Sequence, residues 1–227
     1  MVDDTLTGRL GDDLRSAQVP RERAQRRRLN QLLMDPRVTE FHCIMPMANI
    51  PSVLQHGILS YDRTAKLAHK SVAMQPVQDR RDVKRVPQGH MLHHYANLYF
   101  HARNPMMYSR QPEVPQLCIL RVSTAVATLD GTVFADQNAA SDWVRFLHPS
   151  QWALLDFDAI YAMSWTHEDR IEYFKRKSRK CAEVLVPDRV EPQFLEGAYV
   201  VDLEAAAQLV GHGFHLPIQI EPVLFFR

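Results

Sequence analysis

Short apolar runs that read as strands recur along the chain, at 38–44 (VTEFHCI), 95–100 (YANLYF), 117–122 (LCILRV), within 156–163 (DFDAIYAM), at 180–186 (KCAEVLV), at 198–201 and at 218–226 (IQIEPVLFF). Short helical patterns are interspersed with them at 21–34, 49–56, 138–147 and 150–156. The two kinds do not alternate in the regular βαβ rhythm of a doubly wound parallel sheet, so the sequence predicts an α+β fold. In the 49–56 pattern Ile50, Val53 and Leu54 share one helical face, and Gly57 stands where a helix-ending glycine belongs. Residues 61–91 are polar and basic, carry Pro76 and Pro87, and show no sustained period. They read as an irregular functional loop or lid. Residues 202–227 read as a helix plus a closing strand. The chain divides into a leader with a basic helix, residues 1–36, and a single domain, 37–227.

Composition removes several classes. With 227 residues, 46% hydrophobic and 23% charged, the chain can bury a core and is not a mainly disordered one. Eight Gly and fourteen Pro exclude a collagen-like chain. No stretch reaches the roughly 18–20 apolar residues of a membrane-spanning helix, and the charged first thirty residues lack the apolar segment of a secretory signal. No membrane partner is expected. Cys43, Cys118 and Cys181 are odd in number and widely spaced, which argues against a disulfide framework or zinc ribbon and fits a reducing cytoplasm. The net charge is +1, so nucleic-acid binding requires local clustering of charge.

The sequence has no GxGxxG after a strand, no GxxxxGK[ST], no HExxH and no GxSxG. His90, His93 and His94 have i, i+3, i+4 spacing, but no carboxylate lies beside them; they read as loop histidines, and no metal is expected. Glu183 is the telling residue. Ala182, Val184, Leu185 and Val186 predict burial around it, and a carboxylate is seldom buried without a partner or a task.

Four segments together carry a resemblance. They are His42 to Leu59, an aromatic–His strand followed by Asn49 and a helix ending in HGIL; Val77 to Met106, with its R-R, R-V-P-x-G, L-H-x-Y and R-x-P-M elements; Asp136 to Ala140, D-x-N-A-A; and Ala182 to Val186, A-E-x-L-V. The chain resembles the DarT family of DNA ADP-ribosyltransferase toxins over about residues 38 to 200. The resemblance implies an ADP-ribosyltransferase-like fold, a central split antiparallel or mixed β-sheet flanked by short helices. There are departures. The family pattern places His six residues before the Asn; here His42 is seven before Asn49, and Cys43 stands six before it. Either the strand-to-helix turn carries one extra residue or the His role is shifted. YANLYF replaces a Val-Pro-Phe strand and RNPMM a commoner RSPM, departures expected of a subgroup with a different target base.

The resemblance implies transfer of ADP-ribose from NAD⁺, a co-substrate, to guanine or thymine in single-stranded DNA. Glu183 would hydrogen-bond the ribose 2′-hydroxyl and steady an oxocarbenium-like centre. Arg80 or Arg81 would meet the pyrophosphate, because a guanidinium fork matches phosphate oxygens. His42, Asn49, His93, Tyr95 and Arg103 carry over as NAD-binding positions. The 175–180 segment, KRKSRK, lies directly before Glu183, and Lys175, Arg176, Lys177 and Arg179 with Trp165, Tyr173 and Phe174 upstream suit single-stranded DNA, which needs cations and stacking platforms. A second basic run, Arg21 to Arg28, reads as a solvated helix face. The implied protein partner is a neutralising antitoxin of the ADP-ribosyl-hydrolase type. The alternatives are a transferase of the same fold acting on RNA or protein, and a non-enzymatic nucleic-acid-binding module.

Overall fold

The computed structural model describes residues 35–65, 69–70 and 75–227. The basic helix expected at 21–34 lies outside them. Among the described residues the strands are β1 (Phe41–Pro46), β2 (Ile58–Leu59), β3 (Tyr95–Tyr99), β4 (Leu117–Val122), β5 (Val133–Ala135), β6 (Phe146–Leu147), β7 (Glu183–Pro187), β8 (Arg189–Val190), β9 (Leu195–Val200) and β10 (Ile218–Ile220). The helices are α1 (Ile50–His56), α2 (Tyr61–Thr64), α3 (Gln75–Asp82), α4 (Pro105–Ser109), α5 (Phe157–Tyr161), α6 (Arg170–Arg179) and α7 (Leu203–Gly211). One sheet runs in the order β10-β9-β4-β1-β3-β7-β5-β6, and β2 pairs with β8 in a separate ribbon. Every pair in the large sheet is antiparallel except β9 with β10. The α+β class is therefore observed.

β4 shows why a continuous apolar run suits this position. It is paired on both sides, by β1 and β9, and all of its residues but Arg121 are buried. The sheet is pinned from strand to strand by edge-to-face ring contacts. Phe41 meets Phe100 at 5.4 Å between centroids, and Phe100 meets Phe134 at 5.1 Å. α1 begins with Pro51 in its first turn and ends at Gly57, φ 82°. A Cβ there would stand 2.0 Å from the Val190 carbonyl oxygen, so only glycine lets the chain turn directly into the β2–β8 ribbon.

Three expectations change. Residues 61–91 are not one irregular loop: α2 and α3 lie inside them, followed by a tight turn in which Arg85 bridges Met91. The 138–147 pattern is a loop that runs into β6, because Asn138 turns its side chain back onto the Ala140 N–H at 2.8 Å and gives the backbone a local alternative to the helix. The strand expected within 156–163 is α5. Asp156 caps it by accepting from the Ala159 N–H at 3.0 Å, a start signal that outweighs the short apolar alternation.

Candidate active site

β7 lies between β3 and β5, and its first residue, Glu183, faces Tyr99 on one side and Ala135 on the other. The carboxylate is 1% exposed. It is matched by Arg81, 4% exposed, from the last turn of α3. A single guanidinium nitrogen, Nη1, donates to both carboxylate oxygens, at 3.0 Å to Oε2 and 3.3 Å to Oε1. Oε1 also accepts from the Ala139 backbone N–H at 2.8 Å. Arg81 Nη2 is buried and has no hydrogen-bond partner among the described residues. A buried donor in that condition is costly, and here it belongs to a side chain in a cavity wall.

The D-x-N-A-A element supplies that backbone donor. Asp136 clasps Arg145 through the Arg145 N–H at 2.9 Å and Nε at 2.6 Å, closing the loop at its base. Asn138 then turns the chain so that Ala139 meets Glu183, and both alanines are buried, which their small size permits. Lys84 holds the same loop from outside by donating to the Ser141 carbonyl. Ala139 was not among the sequence-predicted site residues; the signal was present in the motif, but a backbone donor is silent in a sequence.

The pair sits in a cavity of about 720 Å³, within the usual range of small-molecule sites. Asn49, Arg80, Arg81, His93 and Tyr95 line it with Glu183. Asn49 uses its amide to hold the Lys70 backbone, donating to the carbonyl at 2.7 Å and accepting from the N–H at 2.9 Å. His93 lies 3.0 Å from Gln78 Oε1 and stacks on Tyr61 with centroids 4.2 Å apart. The Tyr95 hydroxyl accepts from the His90 N–H at 3.1 Å. Arg80 borders the cavity and is exposed, whereas Arg81 holds the carboxylate.

Two expected NAD-binding residues are not in that wall. His42 accepts the Ala102 N–H at Nδ1, 3.1 Å, and its Nε2 lies 2.9 Å from Glu40 Oε1. Along β1 it is Cys43, with Ile44, Met45 and Pro46 after it, that borders the cavity, and His42 does not. The residue six before Asn49 thus occupies the site side, and in this chain it is a cysteine. Burial pushes its thiol up to about 12, so it is a neutral group there. Burial, and after it the Glu183 charge, likewise hold the Tyr99 hydroxyl protonated far above its ordinary range. Arg103 donates to the Val223 carbonyl and lies over the Phe226 ring at 4.0 Å, which fixes the C-terminal turn.

The basic segment before Glu183 is α6. Its residues Phe174, Lys177 and Ser178, spaced i, i+3 and i+4, border the cavity, as does Cys181 in the turn just past its end. Lys175 and Arg179 lie off that stripe, on Glu172 at 2.9 Å and Asp156 at 3.3 Å. Arg176 and Tyr173 also lie outside the cavity lining. Trp165, expected as a stacking platform, is buried against Tyr108 and Phe226 and presents no free face. Trp143, which the sequence reading passed over, borders the cavity and is almost fully exposed.

The family model for DarT, described as an ssDNA thymidine ADP-ribosyltransferase, matches residues 41–226. The chain belongs to the DarT family. A DNA ADP-ribosyl transferase–DNA ADP-ribosyl glycohydrolase fusion protein of Thermosipho africanus is 30% identical over 205 residues, 85% of this chain and 51% of the fusion. The chain spans about half the length of that relative. The fold is that of solved DarT structures. Thermus sp. 2.9 DarT in complex with ADP-ribosylated ssDNA superposes with a TM-score of 0.73 at 22% identity, covering 84% of this chain and 97% of that one. The same DarT in complex with NAD⁺ gives 0.69 at 20%, covering 84% and 98%.

Proposed function

We propose that this chain transfers ADP-ribose from NAD⁺ to a nucleobase of single-stranded DNA and releases nicotinamide. The observation that carries the reading is Glu183, buried in the cavity wall and held by Nη1 of Arg81, while Nη2 lacks a partner among the described residues. Arg81 Nη2 would donate to a pyrophosphate oxygen of NAD⁺. Glu183 would accept from the ribose 2′-hydroxyl and stabilise positive charge at the anomeric carbon. The C–N bond to nicotinamide breaks with its electron pair leaving on nicotinamide. A ring nitrogen of the base forms the new bond and gives up its proton, so the products are ADP-ribosylated base, nicotinamide and H⁺. The family description favours thymine, and guanine is the other base the sequence departures allow. The fusion of transferase and glycohydrolase in the Thermosipho relative supports a toxin whose neutralising partner removes the modification. We place its action in the cytoplasm; three buried, unpaired cysteines suit a reducing compartment, and no helix among the described residues is long and apolar enough to cross a membrane.

The test is incubation with labelled NAD⁺ and, in parallel, mixed-sequence single-stranded DNA, single-stranded RNA and a protein extract, each with wild type and Glu183→Ala. Label on DNA from wild type alone is expected. Label only on RNA or protein overturns the acceptor, and no label on any acceptor overturns the transferase.

A further inference from the structure

We infer that Trp143 and Phe174 form an aromatic entrance that receives the acceptor base by stacking, with Lys177 beside it for the strand's phosphate. This rests on the transferase reading above and names how its acceptor is held. Trp143 is 87% exposed and Phe174 52% exposed, yet both border the cavity that contains Glu183. They come from different elements, the 136–145 loop and α6. Backbone contact between the Asn138 N–H and the Ser178 carbonyl, 3.0 Å, joins those elements.

The loop carrying Trp143 is anchored although the ring is free. The Asp136–Arg145 clasp closes its base, and Lys84 grips the Ser141 carbonyl. Anchored backbone with a solvated indole is the arrangement of a contact residue awaiting a partner, since a large ring left in water gains nothing for the fold. On α6, Lys177 follows Phe174 by one turn on the cavity-facing stripe. A π-surface next to a cation is what holds a single strand irrespective of sequence. Leu203 and Val210 on α7 are exposed but aliphatic and lie away from the cavity, and Tyr61, which borders it and is 44% exposed, already has its ring stacked on His93.

The experiment measures KM for a single-stranded oligonucleotide and KM for NAD⁺ separately in wild type, Trp143→Ala, Phe174→Ala and Trp143→Phe. Leu203→Ala serves as the exposed control and should keep wild-type constants. The ratio of KM for DNA to KM for NAD⁺ should rise about tenfold for each alanine variant, the loss expected of one stacked base, and Trp143→Phe should recover most of it. Oligonucleotide should also quench tryptophan fluorescence of Glu183→Gln protein, and the quench should vanish when Trp143→Phe is added. Wild type that modifies DNA while both alanine variants keep its KM ratio overturns this inference alone. Wild type that neither modifies DNA nor is quenched by it overturns the acceptor reading as well.

Discussion

Arg81 and Glu183 neutralise one another in a place where neither charge reaches water, so removing one strands the other. Glu183→Ala should lower unfolding free energy by about 3–5 kcal/mol, whereas Glu183→Gln, which keeps an oxygen for the Ala139 N–H, should lower it by less. Both should lose transfer; denaturant titration beside the labelling assay separates the two effects. A second pair of residues sets the acid limit. Burial alone would push the Glu40 carboxyl up, but hydrogen bonds from His42, Tyr199 and Arg121 outweigh it and bring it down from 4.5 to about 2. Burial, then the charges of Lys180, His42 and Arg103, push His101 down from 6.5 to about 3. Both folded values lie below the unfolded ones, so the unfolded chain takes up each proton first as pH falls. The contribution of these two groups should be complete above pH 6.5, decline first through His101 and then, between about 4.5 and 2, through Glu40. Glu40→Gln should cost about 1–2 kcal/mol at pH 7 and flatten the lower part of that decline in pH-dependent urea melts. Glu183 was legible in the sequence because a charge amid Ala, Val and Leu demands an explanation. The facing of His42 was not, because strand parity depends on how many residues the following turn consumes.

The segment after α3 illustrates how an element can matter without contributing a reacting group. Val86 to Gly89 make a tight turn closed by the Gly89 N–H on the Val86 carbonyl at 2.9 Å, with Tyr95 beneath it. A Cβ at Gly89 would approach the Tyr95 hydroxyl to 2.6 Å. Gly89→Ala should therefore cost about 1–3 kcal/mol, and less in a Tyr95→Phe background, where the clashing oxygen is gone. Thermal melts of the four proteins in that cycle measure the coupling. β4 was readable to its exact ends, since both of its faces are covered and every position but one must be apolar. α6 was harder. Its basic residues dominate the sequence, and the stripe of Phe174, Lys177 and Ser178 emerges only once the segment is known to be helical.

Across the whole molecule, the fold buries all three thiols, two on strands of the sheet and Cys181 in the turn before β7. Cys43 and Cys181 are each pushed up to about 12 by burial, and Cys118 is raised as well, also first by burial. A thiol reagent such as Ellman's should label the native protein only as fast as it opens, and should titrate three groups per chain in guanidinium. The odd cysteine count announced unpaired thiols; that two of them border the site could not be read without the fold. The strand order explains where change can be absorbed. Glu183 is built on an interior strand, yet one of its oxygens is held by Ala139, four residues before the exposed indole on the same loop. Replacing that loop would therefore also disturb the donor that holds the carboxylate. The stacking ring proposed above and the backbone donor on the carboxylate are thus carried by one piece of chain, ten residues long at most.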